Sequence, residues 1–367
     1  SVHPGYRGDP NPAIRYCGAA AVMKMLGVVT TVIFWLAMVS VPFLVSAWEL
    51  VMFSQLLIYG IAAMSLAFIW GQGGLLCFGQ ALFFGLGAYV MALTGKGMIP
   101  GIPASAWLGL VLAIMAGGLC ALSFGFALFF GKPLRGPYFG IVTLAATVIV
   151  ERISTNWRYI GGYNGILDIE PLSFAAFSPR LDSSDPLAGY LTALIAAFAV
   201  FVALNAVIRS PFGTVFRGLR SDEQRVASLG YSVGLWKAIA FAMSGAVAAL
   251  AGALFAVQFS FVSPAVIGFT MSTEILIWVA VGGKEVLLAA LAGAAVVKYF
   301  EAALSEAVGS YYLLMIGIIF IVIVIVLPRG LLGRLFDLPR PRRLRAPPTG
   351  LEESDATPRK SATGPKS

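Results

Sequence analysis

The sequence predicts an all-α fold: a polytopic integral membrane protein of about ten transmembrane helices with both ends inside. Three observations predict it. Of 367 residues, 59% are hydrophobic and only 11% charged, less than half the roughly 25% of an average soluble chain, and the mean hydropathy is +0.88. Apolar runs near the ~20 residues that cross ~30 Å of hydrocarbon recur along the whole chain. Lysine and arginine are concentrated on alternate connections, the bias that orients membrane proteins.

In order, the runs are 25–47, 51–70, 75–94, 106–130, 138–153, 187–208, 238–258, 266–282, 286–304 and 311–328. Residues 1–20 are polar and proline-rich, without a short apolar core and cleavage site, and the first run is too long for a leader, so it reads as a helix. Starting inside places Arg7, Arg15, Lys24, Lys132, Arg135, the cluster from Arg209 to Lys237, Lys284 and the arginine-rich tail after Pro328 in the cytoplasm. Lys96, Arg152, Arg158, Arg180 and Lys298 fall on or near the other side. The division that follows is a polar segment 1–20, a transmembrane domain 21–335 carrying a cytoplasmic loop 209–237, and a tail 336–367 whose proline-rich polar composition predicts disorder. Segment 154–186 is then the one long external loop.

Several function classes fit poorly. Cys17, Cys77 and Cys120 are scattered, and His3 is the one histidine, so neither a disulfide framework nor a metal site is expected. There is no GxxxxGK[ST] phosphate loop, no HExxH and no GxSxG, which disfavours a nucleotide hydrolase and an intramembrane enzyme. No cofactor is implied. The net charge of +8 belongs to cytoplasmic loops beside lipid rather than to a nucleic-acid partner.

Within this apolar chain, SPFGTVFRGLRSDEQRVASLGYSVGLWK (210–237) is unusually charged. Phe216, Leu219, Val226 and Leu229/Gly230 fall on one stripe at helical spacing, while Arg217, Arg220, Gln224 and Arg225 lie elsewhere. That pattern predicts one short amphipathic helix of two to three turns ending at Gly230. Glu223 falls on the apolar side, where a carboxylate needs a partner. Such a helix either lies on anionic lipid or docks into another protein.

GQGGLLCFGQALFFGLGAY (71–89) combines six glycines with Gln72 and Gln80. Small residues let helices approach closely in lipid, and an intramembrane glutamine needs a partner or a wet cavity. The stretch is either a tight helix crossing or the lining of a path. Glu274, inside the eighth run, faces the same requirement. Thr143, Glu151, Gln258 and Ser263 are weaker candidates of this kind, and Pro264 marks a turn. GGYNG (161–165) reads as a tight turn or as backbone that meets an incoming solute.

Taken together, IWGQGGLLCFGQALFFGLGAYVMAL (69–93), RGPYFGIVTLAATVIVERISTNW (135–157) with GGYNG, residues 210–256 and LPRGLLG (327–333) resemble branched-chain amino acid ABC transporter permeases of the LivH/LivM type, over roughly residues 50–335. The resemblance implies an inner-membrane permease without its own ATPase. Its implied partners are separate ATP-binding subunits, a second related permease and a periplasmic solute-binding protein. It further implies that Phe216, Leu219, Val226 and Leu229 form a face docking the ATPase, with Arg217, Arg220, Asp222, Glu223 and Arg225 as polar contacts and Gly230 as the stop. Gln72, Gln80, Thr143 and Glu274 are the expected solute path. Cys77, Asp222, and Lys284 with Glu285 in VGGKEVLLAALAGA (281–294) depart from the family pattern, and the last two either alter a helix crossing or pair with each other. The solute reads as a branched-chain or other hydrophobic amino acid, with urea or a short amide as the alternative. An ion-coupled secondary transporter using Glu151 and Glu274, or a scaffold without transport, are the readings from other classes.

Overall fold

The structure, a computed structural model, describes residues 12–130, 137–173 and 185–308, together with residue 317. The described chain is a bundle of helices: α1 (Pro12–Ser40), α2 (Ala47–Ala67), α3 (Gln80–Gly95), α4 (Ala106–Phe129), α5 (Pro137–Asn156), α6 (Pro186–Arg209), α7 (Pro211–Ser221), α8 (Glu223–Ser228), α9 (Val233–Phe259), α10 (Phe269–Gly282) and α11 (Leu287–Val308). Six segments are long and apolar enough to cross a membrane: Ala47–Gln72, Ala106–Phe129, Tyr138–Asn156, Pro186–Arg209, Val233–Phe259 and Leu287–Ser305. Gly27–Phe43, Gln80–Gly95 and Phe269–Gly282 are shorter apolar helices. The chain is thus a multi-pass helical membrane protein. The last expected span, 311–328, lies almost wholly outside the described residues, as do most of segment 1–20, part of the external loop, the tail, and the side chain of Cys17.

Helices α2 and α9 form the centre. Buried residues make up 67% of the apolar stretch of α2 and 61% of that of α9, against 22% for α4 and 28% for α5 and α6. Around them, α2 packs on α6, α11 and α10, while α9 packs on α3 and α4. The start of α2 is closed by Glu49, whose carboxylate accepts from the backbone N–H of Ser46 (2.9 Å) and from its hydroxyl (2.8 Å), the reciprocal part of a capping box. Outward, α4 exposes Trp107, Val111, Met115, Leu119 and Phe126, an apolar stripe of the kind that faces lipid or another membrane helix.

The α3–α9 crossing is backbone on backbone. A Cβ on Gly252 would lie 1.8 Å from the carbonyl oxygen of Phe84, and one on Gly87 would lie 2.0 Å from that of Ala249. Helices that gain nothing hydrophobically by associating in lipid gain van der Waals contact by such approach.

Two expected elements differ. The run 75–94 becomes helical only at Gln80, because α2 ends in a π-helical turn, Phe68–Gln72, and Gly74 has φ +71°. The intervening residues 74–79 carry no helix. The run 266–282 becomes a short helix from Phe269, preceded by a 3-10 turn at Pro264–Val266. In the loop before α6, a two-residue strand pairs Ile166 with Val262 and Leu167 with Phe261. GGYNG precedes it, with Gly161, Gly162 and Gly165 all at positive φ, so its glycines serve the turn.

Candidate functional site

The charged stretch 210–237 folds as two helices rather than one. Asp222 breaks them: its backbone is extended (φ −161°, ψ 101°) and its Oδ1 accepts from the N–H of Arg225 at 3.0 Å, capping α8. Arg225 adds an ion pair to Asp222 (3.6 Å), but its side chain is 82% exposed. Gly230, at φ +87°, ends α8 as expected.

The apolar stripe faces inward. Phe216 and Leu219 are 1% and 2% exposed, and Val226 is buried as well. Phe216 stacks on Phe68 (5.8 Å between ring centroids) and on Phe212 (6.0 Å), and Gly73 leaves the space its ring occupies, since a Cβ there would lie 2.1 Å from Phe216 Cζ. These side chains therefore hold α7 and α8 on their own bundle. Leu229 leaves the stripe altogether and is 72% exposed. The outward tip is Gln224, Arg225, Leu229 and Tyr231.

One largely buried ion pair and one open one reach from the elbow to its neighbours. Glu223 finds the partner its position demands: Lys237 Nζ lies 2.6 Å away, with that side chain only 4% exposed. The Arg220 guanidinium donates to the carbonyl of Gly71 and pairs with Glu285 Oε1 at 3.2 Å. Glu285 and Lys284 do not pair with each other; the Lys284 ammonium lies 5.0 Å from the ring centroid of Trp70. The π turn of α2, the α7 helix and the α10–α11 turn thus meet at one junction. Gln72 joins it, its Nε2 donating to the Glu285 carbonyl at 3.4 Å.

The other expected path residues lie elsewhere. Gln80 opens α3 and is 1% exposed; its Nε2 donates to Ser65 Oγ (2.7 Å) on α2 and Ser244 Oγ (3.0 Å) on α9, while its Oε1 has no partner. Thr143 on α5 accepts from the N–H of Phe78 (3.2 Å) and donates to Gly140 (2.8 Å), and its carbonyl crowds Gly79. Glu274 pairs with Lys298 (2.7 Å), which also pairs with Glu301 (2.9 Å) and lies 5.1 Å and 5.5 Å from the rings of Tyr59 and Trp278. Gln80 and Thr143 flank the segment that follows the π turn, whereas Gln72 and Glu274 are bound up in two separate ionic clusters. Among the described residues no group of His, Cys, Asp and Glu is placed to hold a metal ion.

Gln80→Met is expected to change stability little, by about 1 kcal/mol. The hydroxyls of Ser65 and Ser244 keep their own acceptors, Ala62 O (2.6 Å) and Ser65 O (2.8 Å), and the orphaned Oε1 disappears. Thermal unfolding in detergent measures this, and a large loss would make Gln80 a keystone of the bundle.

Ser65, Ser244, Lys298 and Glu301 were not singled out by pattern. The serines carry no signal in a glycine- and alanine-rich helix. Lys298 and Glu301, three residues apart in an apolar run, were detectable as charges that need each other.

The family described as branched-chain amino acid transport system / permease component matches residues 50–324. The chain belongs to that family. Over 248 residues it is 34% identical to the high-affinity branched-chain amino acid transport system permease protein LivM of Escherichia coli (strain K12), covering 61% of this chain and 58% of that relative. The LivM of Salmonella typhimurium (strain LT2) matches to the same extent. A probable branched-chain amino acid transport permease protein LivM of Methanocaldococcus jannaschii is 31% identical over 152 residues, 40% of this chain and 41% of that relative. The chain spans less than two thirds of the length of these relatives. No solved structure matches it. The permease-family match contains the whole junction, from Trp70 to Glu285.

Proposed function

We propose that this chain is a permease subunit of an ABC importer that moves branched-chain or other hydrophobic amino acids across the bacterial inner membrane. Separate ATP-binding subunits drive it, a second related permease completes the path, and a periplasmic binding protein delivers the solute. About ten spans, with both ends in the cytoplasm, put the α7–α8 elbow on the cytoplasmic side. The transmembrane domain is 21–335, flanked by the polar segment 1–20 and the tail 336–367.

The observation that carries this reading is the elbow itself. Its apolar face is spent on the chain's own core, its base is pinned by the Glu223–Lys237 pair, and its tip projects a cation, a leucine and a tyrosine. A rigid projection with exposed anchors fits a protein cleft better than a lipid surface, where the apolar face would point down into the bilayer. Arg225, Leu229 and Tyr231 replace Phe216 and Leu219 as the docking contacts; Arg220, Asp222, Glu223 and Gly230 shape the elbow. Family membership and the names of the relatives support the solute class. Gln80 and Thr143, beside the broken segment after α2, are the path residues the geometry favours, with Gln72 and Glu274 at its margins. Glu274 is already engaged by Lys298 in an ion pair at 2.7 Å, which weighs against ion coupling.

The test is capture of the ATP-binding subunit by the tagged chain in detergent. Arg225→Glu with Leu229→Asp is expected to lose the subunit, at least tenfold in affinity for two tip contacts worth about 1 kcal/mol or more each, while thermal stability stays unchanged. An ATPase that stays bound to this variant removes the elbow tip from the docking surface.

A further inference from the structure

We infer that Glu285 is a positioning residue for transport: through Arg220 it makes the α10–α11 pair follow the movement of α7. The inference rests on the permease reading above. Arg220 uses its fork on two elements at once, donating to the carbonyl of Gly71 at the end of α2 and pairing with the Glu285 carboxylate at 3.2 Å. The guanidinium geometry allows this bridging, which a single ammonium does not match. The two elements it grips already touch each other. A Cβ on Gly71 would lie 1.8 Å from the carbonyl oxygen of Lys284, so the backbones at 71 and 284 are in direct contact.

The pair is a poor candidate for holding the fold together. The side chains of Arg220 and Glu285 are 39% and 41% exposed, and ion pairs so open contribute little to stability. What the pair does supply is direction. From Gly71 the chain runs through the non-helical segment to Gln80; from Glu285 it runs into α11. A displacement of α7 that pulls on Arg220 is therefore delivered to both sides of the junction, and the Glu285 arm is the one that carries it to α10 and α11. The carbonyl of Gly71 cannot be mutated away, whereas the Glu285 arm can be cut without changing shape.

Glu285→Gln keeps the size of the side chain and removes its charge. The experiment uses the assembled importer, purified through a tag on this chain and reconstituted in vesicles, with leucine as the probe. Leucine moved per ATP hydrolysed is expected to fall about fivefold, the factor an exposed pair at the top of its usual range can exert on an equilibrium. ATPase capture and basal ATP hydrolysis stay as in the wild type, and Glu285→Asp recovers part of the loss. Unchanged leucine per ATP in Glu285→Gln overturns the inference and leaves the permease reading standing. So does loss of ATPase capture, because Glu285 then belongs to the docking surface. If the wild-type chain captures no ATPase, both the permease reading and this inference fall.

Discussion

Replacing Gly252 with valine is expected to leave almost no folded protein in the membrane. The first added carbon would lie 1.8 Å from the carbonyl oxygen of Phe84, 2.7 Å from its carbon and 3.1 Å from the nitrogen of Ala88. All three are backbone atoms, so no rotamer change relieves them. The α3–α9 crossing has to open along its length, and α9 is also packed tightly on α4, where a Cβ on Gly117 would meet that of Ala249 at 2.2 Å. Overpacking of this kind falls at the upper end of its usual range, about 3 kcal/mol. Gly118→Ala supplies the control: its new carbon would meet Ala246 at an ordinary 3.4 Å, and wild-type behaviour is expected. Yield and monodispersity on size exclusion in detergent read both variants. A Gly252→Val protein with the yield and melting temperature of the wild type would mean that the two helices do not cross this closely.

That expectation concerns a glycine with no special standing in the sequence, and the reason generalises. Apolar periodicity showed where helices run, and glycine density around residues 71–89 showed that something approaches closely there. Neither says which partner approaches. Gly252 reads as an unremarkable small residue until α3 and α9 are laid across each other. The amphipathic stripe of 216–229 shows the same limit from the other side. Its spacing marks the buried Phe216, Leu219 and Val226 but not Leu229, which is exposed, and burial against one's own core and burial in a partner leave the same pattern. Phe216 and Leu219 went inward because Gly73 leaves room for a ring and Phe68 offers one to stack on. The break at Asp222 was legible only in retrospect, as an N-cap three residues before Arg225. The charges divide. Glu223, read as needing a partner, has Lys237, whereas Glu285 pairs with Arg220, 65 residues away in sequence, and not with Lys284 beside it.

The largest electrostatic effect is expected at Lys298. In Lys298→Met, Glu274 and Glu301 lose the ammonium that neutralises them, at 2.7 Å and 2.9 Å, inside helices α10 and α11 whose surroundings are apolar. Tyr59 and Trp278 lose a cation over their rings as well. Each carboxylate at membrane depth costs about 2.5–3.5 kcal/mol when unpaired, and partial exposure of the three side chains, 18–26%, trims that figure to about 2–4 kcal/mol for the pair. The single variant should therefore fold poorly. The informative partner is the triple change Lys298→Met, Glu274→Gln and Glu301→Gln, which removes every charge while keeping the volume and is expected to recover the melting temperature, because breaking an ion pair harms more than deleting it. If the single variant melts like the wild type, the triad does not carry charge in the membrane. If the triple variant folds and still moves leucine with its assembled partners, the charges orient α10 on α11 and nothing more. A folded triple variant that has lost transport would instead place Glu274, through Lys298, on the route the solute takes.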